Sequence, residues 1–109
     1  MNHSKTKEAM KVAVFINKNE LTTIHEEKVC VVIFDIEDDK VVGVENIDLK
    51  EHDNKSIENW LKQKAINRIY LSQIDDHTHE KLKINGVNVR TLDTIENDKL
   101  FQRLGLIMS

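Results

Sequence analysis

The sequence predicts a mixed α/β domain in the order strand, strand, strand, helix, strand, helix, strand, helix. Three observations predict it. Five short runs are rich in Val and Ile, and the later runs are separated or followed by segments with apolar residues at helical spacing. The apolar fraction is 39% while aromatics are only 5%, so the core must be aliphatic. A chain of 109 residues hides roughly two-thirds of its unfolded surface on folding, enough for one core.

Residues 1–9 (MNHSKTKEA) are polar and without period and read as a disordered tail, leaving 10–109 as a single domain. Residues 10–16 (MKVAVFI) form an apolar, β-branched run, the pattern of a central strand buried on both faces. Residues 28–36 (KVCVVIFDI) repeat it, and 41–49 (VVGVENIDL) alternate more, as an edge strand with one wet face does. These two pair as an antiparallel hairpin. Its turn, EDDK, lacks Asn-Gly or Asp-Gly, which predicts a loop of three to five residues.

Asn54 or Ser56 caps the first helix, whose apolar stripe is Ile57, Trp60, Leu61 and Ala65. Residues 67–72 (NRIYLS) make the fourth strand. A helix over 76–84 follows, capped by Asp75 or Asp76 and ended by Gly86. Residues 87–92 (VNVRTL) make the fifth strand. Thr94 caps a third helix that buries Leu100, Phe101 and Leu104 and ends at Gly105. Right-handed crossovers after a hairpin give a five-stranded mixed sheet in the order 3-2-1-4-5, with strand two antiparallel. No Pro, no repeat and no Gly- or Ser-rich linker marks a domain boundary.

Net charge is -3 and no basic stretch exceeds two residues, so the chain lacks the cationic footprint of a nucleic-acid binder. Cys30 is alone and no apolar run reaches transmembrane length, which predicts a reducing cytoplasm and no membrane partner. Three glycines build no phosphate loop, nucleophile elbow or dinucleotide fingerprint, and no enzyme is predicted. Trp60 falls on the stripe of the first helix and reads as core.

In open sheets of this class a ligand sits beyond the carboxyl ends of the parallel strands. That places Asn17, Lys18, Ser72, Gln73, Asp75 and Asp93 on the rim to inspect. Asp75, Asp76, His77, His79 and Glu80 form the densest set of metal-ligating types. His77 and His79, however, are two apart and point about 200° from each other on a helix. The cluster reads as acidic capping of a helix N-terminus, and no metal site is predicted.

The segments MKVAVFINKN, VVIFDIEDDKVVGVENI, KAINRIYLS, LKINGVNVRTL and TIENDKLFQRLG together resemble the dinitrogenase iron-molybdenum cofactor biosynthesis family, the small NifX-like domains. The likeness runs from residue 10 to 105 and lies in element order and apolar pattern. It implies an RNase H-like fold and a non-enzymatic binding or carrier role for an iron-sulfur or iron-molybdenum cluster precursor, with metallocluster-assembly proteins as partners. RNase H-like nuclease chemistry would need a carboxylate on the first strand, and MKVAVFIN has none.

Many members of the family carry Phe-Gly-Arg-Ala before the second strand; this chain reads His25, Glu26, Glu27, Lys28. A glycine-rich turn after the fourth strand is replaced by Ser72, Gln73, Ile74, Asp75, and of a His-Gly-Gly segment only His52 survives. Glycine turns let backbone N–H groups approach an anion, and bulky acidic replacements crowd and repel it. Under the resemblance, His25, His52 and Cys30 are the cofactor-binding residues. Cys30 sits in VCVVI, where a lone cysteine is usually a small buried hydrophobe. The second reading is a protein-interaction or regulatory module of the same fold that has lost cluster binding. A monomer or a weak homodimer through 41–49 is expected.

Overall fold

The computed structural model describes residues 9–24, 28–49 and 57–104. His25, His52 and the cap residues Asn54 and Ser56 lie outside them, as do Gly105 and the expected tail up to residue 8. The strands are β1 (Ala9–Asn17), β2 (Glu20–Leu21), β3 (Val29–Glu37), β4 (Lys40–Leu49), β5 (Arg68–Leu71) and β6 (Asn88–Thr91). The helices are α1 (Ile57–Gln63), α2 (Asp76–Ile84) and α3 (Lys99–Arg103), with a 3-10 segment at Leu92–Asn97 before the last.

The sheet runs β4-β3-β1-β5-β6, with β2 paired to β1 beside that path. It is mixed: β3 is antiparallel to β1 and β4, whereas β5 is parallel to β1 and β6. Six strands stand where five are expected. The sixth arises because Lys18 and Asn19 both adopt left-handed backbone (φ 56° and 68°), a two-residue primed turn that folds Glu20 and Leu21 back onto Asn17 and Ile16.

The returning chain becomes a wedge. Thr22 N donates to the Phe15 carbonyl at 2.9 Å, Ser72 N donates to the Thr22 carbonyl at 3.1 Å, and Leu92 N donates to the Ser72 carbonyl at 3.2 Å. Direct β1–β5 pairing is confined to Val12–Val14 against Arg68–Tyr70, so beyond it the 20–22 segment lies between the two strands. Leu21 buries into one side of the sheet and Ile24 into the other.

The β3–β4 turn differs from the expected loop of three to five residues. Asp38 and Asp39 alone make it, at φ 53° and 67°. Aspartate tolerates the left-handed region because its short polar side chain bonds locally, so Gly is dispensable here. A bulge beside Asp35 and Ile36 leaves Val42 as the extra residue on β4. As an edge strand β4 is exposed along most of its length, including Val41, Val42 and Val44.

Two apolar layers hold the sheet. On one face Ala13, Phe15, Val31, Ile33, Ile69 and Leu71 pack with Ile57 and Leu61 of α1 and Leu82 of α2. On the other Val12, Val14, Phe34 and Tyr70 meet Phe101 and Leu104 at α3, the Tyr70 and Phe101 rings lying 4.9 Å apart. The core is aliphatic apart from Phe15, Phe34, Phe101 and Tyr70.

Both crossover helices end in the same motif. In α1, Ala65 N donates to the Lys62 carbonyl and Ile66 N to Leu61; in α2, Gly86 N donates to Lys83 and Val87 N to Leu82. This paired 5→2 and 6→1 bonding requires a left-handed residue, supplied by Ala65 at φ 58° and Gly86 at φ 82°. Ala65 is therefore exposed past the helix end and not on the apolar stripe; Ile66 takes the buried place. Asp75 caps α2 by accepting from Thr78 N at 3.0 Å.

Asp98 replaces Thr94 as the cap of the last helix. Its Oδ1 accepts from Phe101 N at 2.9 Å, and both carboxylate oxygens lie 2.9 Å from the Tyr70 hydroxyl that donates to them. Thr94 instead donates to the Thr91 carbonyl within the 3-10 segment. Burial, and then the neighbouring Asp98 against the opposing influence of Arg68, pushes the Tyr70 hydroxyl up to about 12.

Candidate functional site

The carboxyl ends of β1, β5 and β6 share one end of the sheet, and the wedge divides that rim in two. On the β1–β3–β4 side lies a cleft of about 490 Å³, lined by Ile16, Asn17, Lys18, Lys28, Val29, Cys30, Asp48 and Leu49. Beyond β5 lies another of about 500 Å³, lined by Ser72, Gln73, Ile74, Thr91, Leu92 and Asp93.

In the first cleft, Cys30 sits in cross-strand register with Ile16 of β1 and with Asp48 of β4. The thiol is half-buried and reaches the cleft, unlike the fully buried hydrophobe that the run VCVVI suggests. Burial raises its pKa, and the Asp48 carboxylate raises it further. At neutral pH it is a protonated thiol, and it becomes a metal ligand only by losing that proton.

Lys18 and Lys28 bring two cations to this rim from separate segments. Lys18 occupies a left-handed position that costs a side-chain-bearing residue roughly 1–2 kcal/mol relative to the right-handed region. The floor is apolar, built from Ile16, Val29 and Leu49.

The expected rim residues do not form one site. Asn17 joins Cys30 in the first cleft, while Ser72 and Gln73 line the second. Asp75 is occupied in capping α2: beyond Thr78 N it takes the Thr78 hydroxyl at 2.8 Å. Asp93 accepts from the Thr91 hydroxyl in the second cleft.

Asp48 and Lys28 were not singled out by the sequence. A symmetric hairpin about the EDDK turn pairs Cys30 with Ile47; the extra residue Val42 moves its partner to Asp48. Gly43, an isolated glycine within the strand beside Val42, is the signal that could have found that bulge.

As a resident cluster site the described donors are too few. Such clusters take four thiolate-like ligands, and among the described residues no three of His, Cys, Asp and Glu come together. Among the described residues no helix is long and apolar enough to cross a membrane.

No family model matches the chain, and no curated protein matches it. Among solved structures, the crystal structure of PH0822 is similar, with a TM-score of 0.65 at 20% identity over 75% of this chain and 76% of that one. At that identity the likeness establishes a shared mixed α/β fold.

Proposed function

We propose that the chain is a small, non-enzymatic binding domain of RNase H-like type that carries an iron-sulfur or iron-molybdenum cluster precursor as cargo among cytoplasmic metallocluster-assembly proteins. The observation that carries this reading is the meeting of Asn17 and the chain's single thiol, Cys30, in one cleft rimmed by Lys18 and Lys28. The sheet path β4-β3-β1-β5-β6 is compatible with the RNase H-like arrangement. An anionic, thiophilic cargo finds there a soft ligand and two cations. Cys30 would give up its proton on binding, while the lysines orient the charge.

Anaerobic incubation with ferrous iron, sulfide and a small thiol that supplies the cluster's remaining ligands tests it. The expected result is a visible absorption band and iron that stays with the chain through gel filtration, both lost in Cys30→Ser. A chain that takes up neither iron nor colour overturns the carrier reading.

A second reading, an interaction or regulatory module that has lost cluster binding, is favoured by the wedge. The space between β1 and β5 at the ligand-facing end is filled by residues 20–22 of the chain itself. A homodimer through β4, or a monomer, is compatible with either reading.

A further inference from the structure

We infer that the cleft beside Cys30 takes a small organic anion with an apolar body, its charged end held by Lys18 and Lys28 and its body lying on Ile16, Val29 and Leu49. This rests on the proposed function only in taking the cleft as the binding site, and assigns that cleft a second chemical class of ligand.

Size, charge and surface agree. About 490 Å³ is within the range of small-molecule clefts, roughly 300–1,000 Å³. The whole chain carries a net charge of -3, yet among the described residues the charged ones lining this cleft are two lysines and one carboxylate, Asp48. Among the described residues neither lysine is joined to an acidic side chain, whereas Lys11 meets Asp35 and Lys64 meets Glu45. Their charge is available to a ligand.

Backbone and neighbours point the same way. Asn or Gly sits more easily than Lys at the first position of a primed turn, but the chain holds Lys18 there at φ 56°. The comparable β3–β4 turn uses Asp38 and Asp39. The cleft beyond β5 supplies the contrast: among the described residues its charged lining residue is Asp93, with no lysine or arginine beside it. An anion is disfavoured there.

Octanoate, octylammonium and octanol share an apolar body and differ in the head group, so they separate charge recognition from greasy adsorption. Each is titrated into the ¹⁵N-labelled chain below its micelle-forming concentration or, for octanol, below its solubility limit. Octanoate is expected to shift the amides of Ile16, Lys28, Val29, Cys30 and Leu49 saturably, with the other two at least tenfold weaker. The Lys18→Gln/Lys28→Gln variant, its fold verified by its amide spectrum, should lose about tenfold in octanoate affinity.

Equal shifts from all three probes, or unchanged octanoate affinity in the double variant, would overturn the inference. The probe comparison on the unaltered chain decides the matter even if the variant misfolds. Iron uptake is read separately: charge-selective octanoate binding without iron uptake removes the carrier reading alone. Iron uptake without charge selectivity removes this inference alone.

Discussion

The two clefts at the carboxyl end of the sheet are nearly equal in volume and differ in almost everything else. One opens where an antiparallel hairpin meets β1, and it has an apolar floor, a thiol and two lysines. Its counterpart opens beyond the parallel strands β5 and β6 and presents Ser72, Gln73, Thr91 and Asp93. Between them stands the 20–22 wedge. Where the chain runs at the end of a sheet decides which side chains can meet, even when strand order alone would put them on one rim.

The most disruptive way to break this comparison is to loosen the wedge. Ile24 is 1% exposed and anchors it in the α1–α2 layer, so Ile24→Ala should cost about 2–5 kcal/mol in chemical denaturation. Loss of less than 1 kcal/mol would mean that the wedge is not held by that contact.

On the other side of the sheet, α3 is tied down by Tyr70 and Asp98. Removing the hydroxyl in Tyr70→Phe deprives a buried carboxylate of a donor and should cost about 1–3 kcal/mol. The same residue sets an alkaline limb. An unfolded chain releases the tyrosine proton near about 10, the folded one near about 12. Below that window the tyrosine's contribution is fully present; it is lost as pH rises from the lower value through the higher. Stability measured against pH should fall across this range in the wild type and lose most of that fall in Tyr70→Phe.

A smaller effect separates the two crossover connections. Ala65→Gly removes left-handed strain at the end of α1 and should raise stability by about 1 kcal/mol. Gly86→Ala should lower it by a similar amount, about 1 kcal/mol, through its φ of 82°, because an added Cβ meets nothing within 4 Å. Thermal melts of the pair should move in opposite directions.

The smallest effect concerns the thiol. Asp48→Asn removes the charge that holds up the Cys30 pKa, so more thiolate exists at a given pH. Alkylation by iodoacetamide should quicken a few-fold at pH 8, with the whole pH profile displaced downward. Burial, the larger cause, remains. An unchanged profile would show that the carboxylate does not sense the thiol.

Much of the scaffold was legible in the sequence because it is written in long patterns. The apolar β-branched runs became β1, β3 and β5, and Asp75 and Gly86 bound α2 as their chemistry requires. What escaped is short or non-periodic. Lys18-Asn19 carries no glycine to announce a primed turn, and Glu20–Leu21 is too brief for alternation to appear. A single bulge residue, Val42, reset the register that pairs Cys30 with Asp48.

Helix ends show the same limit. Thr94 and Asp98 are both good cap residues four apart, and the choice fell to the one that also receives the buried Tyr70 hydroxyl. Of the site, Asn17 and Cys30 came together; Ser72 and Gln73 were carried across the wedge. His25 and His52 lie outside the described residues.

Iron bound per chain after anaerobic loading tests the central claim most directly, compared among the wild type, Cys30→Ser in one cleft and Ser72→Ala in the other. The account predicts that iron is lost with Cys30 and kept without the Ser72 hydroxyl. Iron kept in Cys30→Ser, or lost in Ser72→Ala, would contradict it.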